Sequence, residues 1–155
     1  VKLLRSPHQL PAHLIRVLRR HADERPRQPA CVHLLDGQAD HASLTYPQLD
    51  RRARAIAACL QDMGFAGQCV LLVYPPGLDF ITAFFGCLYA GCVAVPTYPP
   101  HRHRMLERFQ AVAADAGARI ALSNASGAAQ FEAMMKAEKS DQAATSSQLS
   151  WLATD

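Results

Sequence analysis

Few side chains in this 155-residue chain have the types and spacings that chemistry requires. His101 and His103 stand two apart, and Cys31, His33 and His41 make a looser set. Neither has the ligand spacing of a zinc site, so no metal ligand is assigned. Five cysteines, at 31, 59, 69, 87 and 92, include no C-x-x-C pair. The odd count, with Cys69, Cys87 and Cys92 inside apolar runs, argues against a disulfide framework and for a reducing cytoplasm. No G-x-G-x-x-G, G-x-x-x-x-G-K-[ST] or G-x-S-x-G string occurs. The local signatures of a phosphate-cradling loop and of a nucleophile elbow are therefore missing. What remains is His101-Arg102-His103-Arg104, with Arg108 one helical turn after Arg104. Arg104 and Arg108 are candidate contacts for a phosphate or carboxylate. The alternative is the solvated start of a helix. No catalytic or cofactor-binding residue is assigned in this chain.

The elements that would position such groups alternate between helix and strand. Leu14 to His21 has a helical apolar stripe, with Arg16, Arg19 and Arg20 facing outward and Pro26 beyond its end. Cys31–Leu35 and His41–Tyr46 flank Asp36-Gly37-Gln38, a hairpin signal. Pro47 to Gly64 is the clearest helix, with Leu49, Ala53, Ile56, Ala57, Leu60 and Met63 on one stripe. Cys69 to Tyr74 is a continuous apolar run, the pattern of a strand buried on both faces. After Pro75-Pro76-Gly77, a helix over roughly 79–90 opens with Asp79 and is apolar on nearly every side, as if buried between layers. Phe84 falls on its buried face, where truncation to Ala costs about 3–5 kcal/mol. Cys92–Val95, Arg119–Ser123 and the helices Arg104–Ala116 and Ala125–Lys139 complete the pattern. Residues 1–139 form one portion of a domain, and the polar stretch over 140–155 is expected to be a loop or linker.

Strand, helix, strand, helix and strand from 69 to 123 imply two right-handed crossovers in a parallel sheet. The fold class is α/β, a partly parallel sheet with flanking helices. Ligands of such sheets sit beyond the carboxyl ends of the strands. The turns at 74–77 and 96–100 lie there, and either line a crevice or are simply rigid. Composition excludes other classes: 50% hydrophobic and 19% charged residues make a folded chain rather than a disordered one. A net charge of +3, without a dense basic patch or interleaved aromatics, points away from nucleic acid. The longest apolar run, Phe80 to Val95, is ended by Pro96 short of a membrane span, and the N-terminus shows no secretory segment.

Two strings carry a resemblance. Leu44-Thr45-Tyr46 with Leu49 matches an L-T-Y-x-x-L motif, and Leu88-Tyr89-Ala90-Gly91 through Pro96 matches L-x-A-G-x-x-x-V-P. Together with Tyr74-Pro75-Pro76-Gly77-Leu78-Asp79-Phe80 and Tyr98-Pro99-Pro100, the sequence closely resembles fatty acyl-AMP ligases. These belong to the adenylate-forming superfamily, with acyl-CoA synthetases, luciferase and the adenylation domains of nonribosomal peptide synthetases. The L-x-A-G motif is shared across the superfamily, and the two proline-containing strings are more particular to the fatty acyl-AMP ligase branch. The resemblance covers residues 10 to 123 and makes this chain similar to the N-terminal part of the large domain.

The resemblance implies that a fatty acid carboxylate attacks the α-phosphate of ATP, with Mg²⁺ assisting, to give acyl-adenylate and pyrophosphate. The acyl group then passes to the phosphopantetheine of an acyl carrier protein, typically in a polyketide or lipopeptide pathway. That reaction needs hydrogen-bond donors and a cation around the triphosphate. The family's phosphate loop, adenine motif, metal-binding glutamate and catalytic lysine map onto no residue here, so the chain alone is expected to bind no cofactor and to be inactive. Neighbouring readings are an acyl-CoA ligase, an amino-acid adenylation domain, or a non-enzymatic relative acting as an interaction module. Lacking the rest of such a fold, the isolated 155 residues should expose sheet edge or apolar surface and self-associate. Light scattering checks this: oligomers are expected, and a monomeric mass at high concentration contradicts it.

Overall fold

The computed structural model describes residues 13–34, 41–99, 103–138 and 149–155. Among them the elements, in chain order, are α1 (Leu14–Glu24), β1 (Pro29–Leu34), β2 (His41–Thr45), α2 (Tyr46–Asp62), β3 (Cys69–Val73), α3 (Leu78–Ala90), β4 (Val93–Thr97), α4 (His103–Asp115), β5 (Ile120–Ser123), α5 (Ala125–Glu138) and β6 (Ser150–Ala153). β1 and β2 pair antiparallel, with Val32 opposite Ser43 and Leu34 opposite His41. The hairpin turn expected at Asp36-Gly37-Gln38 lies outside the described residues.

β3 organises the second sheet. Val70, Leu71 and Leu72 are 0% exposed, so the strand has no solvent face, as its continuous apolar run predicts. The sheet runs β4-β3-β5-β6, and all three pairings are parallel. Val70, Leu72 and Tyr74 pack with Ile56, Ala57 and Leu60 of α2 and with Ala83 and Cys87 of α3. Leu71 and Val73 pack on the opposite face with Leu106, Phe109 and Ala113 of α4 and Phe131 of α5. The result is three layers with two cores. β4 and β5 flank β3 on opposite sides, and α3 and α4 cover opposite faces. The two crossovers therefore share one hand, as the right-handed rule requires.

Two expectations change. The segment 140–155 is not loop throughout, because Ser150–Ala153 extends the sheet as β6. Trp151 drives this: its ring lies 4.3 Å from Phe131 and 6.1 Å from Phe109, while Leu152 packs against the other core. Within α3 the fully buried positions are small ones, Thr82, Ala83, Gly86, Cys87 and Ala90. Phe84 is only partly buried, 6.4 Å from Phe80 and 6.0 Å from Phe85 between ring centroids. Its truncation therefore costs about 3 kcal/mol, the low end of the range expected above.

Small residues face inward because α2 approaches α3 closely. A Cβ on Gly86 would lie 2.7 Å from Ile56 Cγ2, 2.9 Å from Ile56 Cβ and 3.3 Å from the Ala53 carbonyl. Gly86→Ala is thus expected to destabilise the protein by about 1–3 kcal/mol despite the better helix propensity of alanine. Denaturant unfolding measures this, with Gly77→Ala as a comparison because a Cβ there meets nothing within 4 Å.

Candidate functional site

The carboxyl ends of β3 and β4 open into an apolar cleft of about 300 Å³. Tyr74, Pro75 and Pro76 leave β3 on one side. Pro96, Thr97 and Tyr98 close the other, and Phe80 of α3 sits between. Proline fixes φ and carries no N–H, so these walls are stiff and poor in donors. Pro96 lies within β4, an edge strand, where the missing donor costs no ladder bond on the open side. Tyr98 is 79% exposed and forms the rim. Among the described lining residues none is charged.

A second cavity of about 440 Å³ adjoins the start of α3. Its polar lining is Arg52 of α2, Asp79 and Thr82 of α3, and Thr154 and Asp155 after β6. Asp79 occupies the first turn of α3, where the positive end of the helix dipole favours its charge. The Asp155 carboxylate accepts the Ala125 N–H at 2.7 Å at the start of α5. Tyr74 connects the two cavities, its hydroxyl lying 2.8 Å from Thr154 Oγ1. Burial pushes the Tyr74 hydroxyl above its ordinary pKa, and the Thr154 hydrogen bond offsets part of the shift.

The motif residues divide between this edge and the scaffold. Tyr74, Pro75, Pro76, Pro96 and Tyr98 gather at the cleft, and Asp79 lines the neighbouring cavity. Gly77 caps α3 and Pro99 follows Tyr98, both outside the cavity linings. Thr45 is the N-cap of α2 in a capping box: its side chain accepts the Gln48 N–H at 3.4 Å, and the Gln48 side chain accepts the Thr45 N–H at 2.9 Å. Leu44 and Leu49 bracket that box as a hydrophobic staple in one buried cluster with Leu18. Tyr46 packs on His21 at 5.0 Å. Gly91 ends α3 at φ 72°, after Ala90, with the Cys92 N–H donating to the Cys87 carbonyl at 2.9 Å. Of the anion candidates, Arg108 is exposed on α4 and lines neither cavity. Pro100 and the side chain of Arg104 lie outside the described residues.

Spacing did not flag Arg52, Thr82, Thr154 or Asp155, because residues from three separate segments meet only in the fold. It also missed the link between the two motif regions. Tyr89 donates its hydroxyl to Asp50, and Arg54 Nη1 stands 3.6 Å from the other oxygen of that carboxylate. Burial, and then the Asp50 bond, raise the Tyr89 hydroxyl above its ordinary pKa. Among the described residues no three His, Cys, Asp or Glu side chains gather as a metal site. No described helix is long and apolar enough to cross a membrane.

The thiols differ in environment. Cys59 is exposed, whereas burial pushes Cys87 up to about 12, with neighbouring Cys92 adding to the shift. Cys92 is also raised by burial, and its Sγ is 3.2 Å from the Phe65 carbonyl. A raised pKa leaves little thiolate at pH 8. Iodoacetamide at pH 8 should therefore alkylate Cys59 first and spare Cys87 and Cys92 until the protein unfolds, as read by peptide mass spectrometry.

With this geometry in place, comparison with known proteins is direct. Residues 18–154 match the AMP-binding enzyme family. The chain is 37% identical over 145 residues to the medium-chain-fatty-acid–[acyl-carrier-protein] ligase JamA of Moorena producens, covering 92% of this chain and 24% of that protein. It is 53% identical over 62 residues to Disco-interacting protein 2 homolog A of Mus musculus, covering 39% of this chain and 4% of that protein. A fatty acyl-adenylate ligase from Legionella pneumophila, solved with acyl adenylate and pyrophosphate, superposes with a TM-score of 0.71 at 35% identity. That alignment covers 90% of this chain and 23% of the Legionella one. The chain thus spans about a quarter of the length of either ligase it matches.

Proposed function

The chain belongs to the AMP-binding enzyme family, and from that premise we propose that the protein carrying it activates a fatty acid with ATP as an acyl-adenylate and passes the acyl group to an acyl carrier protein. The observation that carries this reading is likeness across nine-tenths of the chain to two proteins whose names state fatty-acid activation, at 37% and 35% identity. The parallel sheet agrees with it, since its carboxyl edge is where such folds bind ligands. The reading places the reaction in the cytoplasm.

The chain's own share of that chemistry is to shape the site. Tyr74, Phe80 and Tyr98 offer ring surface to an apolar substrate, and the proline turns hold that surface still. The triphosphate and Mg²⁺ need donors and carboxylates that these residues do not assemble. The sequence has no glycine-rich phosphate string, and among the described residues no three His, Cys, Asp or Glu side chains gather as a metal site. On this reading the nucleotide and the metal are held by other parts of the protein. A second reading, an interaction protein without ligase activity, draws on the 53% identity to Disco-interacting protein 2 homolog A over 62 residues.

Mass spectrometry separates the readings. The intact gene product, incubated with ATP, Mg²⁺ and a mixture of fatty acids, is expected to yield acyl-adenylate, while the 155-residue chain alone yields none. With coenzyme A added, acyl-CoA should not accumulate; its accumulation would favour an acyl-CoA ligase. No acyl-adenylate from the intact protein would favour the interaction protein.

A further inference from the structure

Tyr74 stands between two cavities of opposite character. Its ring lines the apolar cleft, and its hydroxyl meets Thr154, which lines the polar cavity, at 2.8 Å. β5 lies between β3 and β6, so this side chain bridges an entire intervening strand. The strand ends beneath it are tied in the same way. Ser123 Oγ donates to the Val73 carbonyl at 2.8 Å, and the Thr154 N–H donates to the Ser123 carbonyl at 3.0 Å. Ser123 is 0% exposed and Tyr74 4%. A phenol packed along its ring and held at its hydroxyl has one orientation, and breaking the hydroxyl bond strands a buried polar group.

The two sides of that ring accept different matter. The described lining of the cleft is uncharged, whereas Arg52, Asp79 and Asp155 border the cavity beyond Thr154. Hydrocarbon gains by entering the first and forces desolvation of charges in the second. We propose that the cleft takes the hydrocarbon of the acyl substrate, that the Tyr74 ring is the wall at which it stops, and that Thr154 is the positioning residue that holds this wall. The proposal rests on the fatty-acid reading given above. It adds a determinant of chain length made by two residues 80 positions apart.

The test measures kcat/KM of the intact gene product over saturated fatty acids of increasing length. Thr154→Val keeps the shape but removes the hydroxyl, Tyr74→Phe removes the same bond from the other side, and Thr154→Ser keeps it. A methylene moved from water into an apolar site is worth about fourfold. Thr154→Val and Tyr74→Phe should each raise the preference for an acid two methylenes beyond the wild-type optimum, by at most about fifteenfold. Thr154→Ser should keep the wild-type profile, and the double variant should shift no further than either single one. An equal loss at every chain length, or a lowered Tm with an unchanged profile, overturns the wall. Should the variants fail to fold, Phe80→Trp narrows the cleft from its other side. A shift toward shorter acids then supports the cleft as the hydrocarbon site, and an unchanged profile overturns it. Wild-type protein that forms no acyl-adenylate with any fatty acid overturns the underlying reading instead.

Discussion

Everything in this structure hangs on β3 having no face toward water. Its residues 70–72 are fully buried and paired on both edges, so the chain must supply a helical layer on each side. Burying apolar strand surface on both faces is the main favourable contribution available to a parallel sheet. With α3 on one face and β4 at one edge, the crossover rule couples the side on which β5 pairs to the face that α4 covers, and here both are the opposite ones. The same constraint brings the carboxyl ends of all four strands to one side. The cleft is therefore a consequence of how β3 is buried, and the prolines only stiffen what the topology has gathered.

Most of this order is legible in the residues. The run Cys69–Tyr74 signals a doubly buried strand, Gly91 signals the exit of α3, and the apolar stripe of α2 signals its buried face. The L-T-Y-x-x-L motif has a plain local meaning, a capping box with a hydrophobic staple, which sequence spacing expresses directly. Legibility fails where partners are distant. Tyr89 with Asp50 spans 39 positions and Tyr74 with Thr154 spans 80, and nothing in either local sequence names its partner. β6 was missed for the same reason, since its stability comes from Trp151 meeting Phe109 and Phe131 rather than from strand-like alternation. The arginine run was the most conspicuous chemical feature of the sequence, yet Arg108 points to no described cavity.

The family's motifs thus serve two ends. Leu44, Thr45, Leu49, Ala90 and Gly91 set helix boundaries, and those boundaries fix where β2 and α3 stop. The proline strings after β3 and β4 shape the surface that a substrate would meet. Fold class and family follow from the first group together with the match over residues 18–154. The proposed chemistry depends on the second.

The most direct test of this account is photolabelling of the intact protein with a fatty acid carrying a diazirine near its methyl end, in the presence of ATP and Mg²⁺. The account predicts that the label maps to peptides containing Tyr74–Phe80 and Pro96–Tyr98, and that unlabelled fatty acid competes it away. Competed labelling found only on peptides outside these two turns would contradict it.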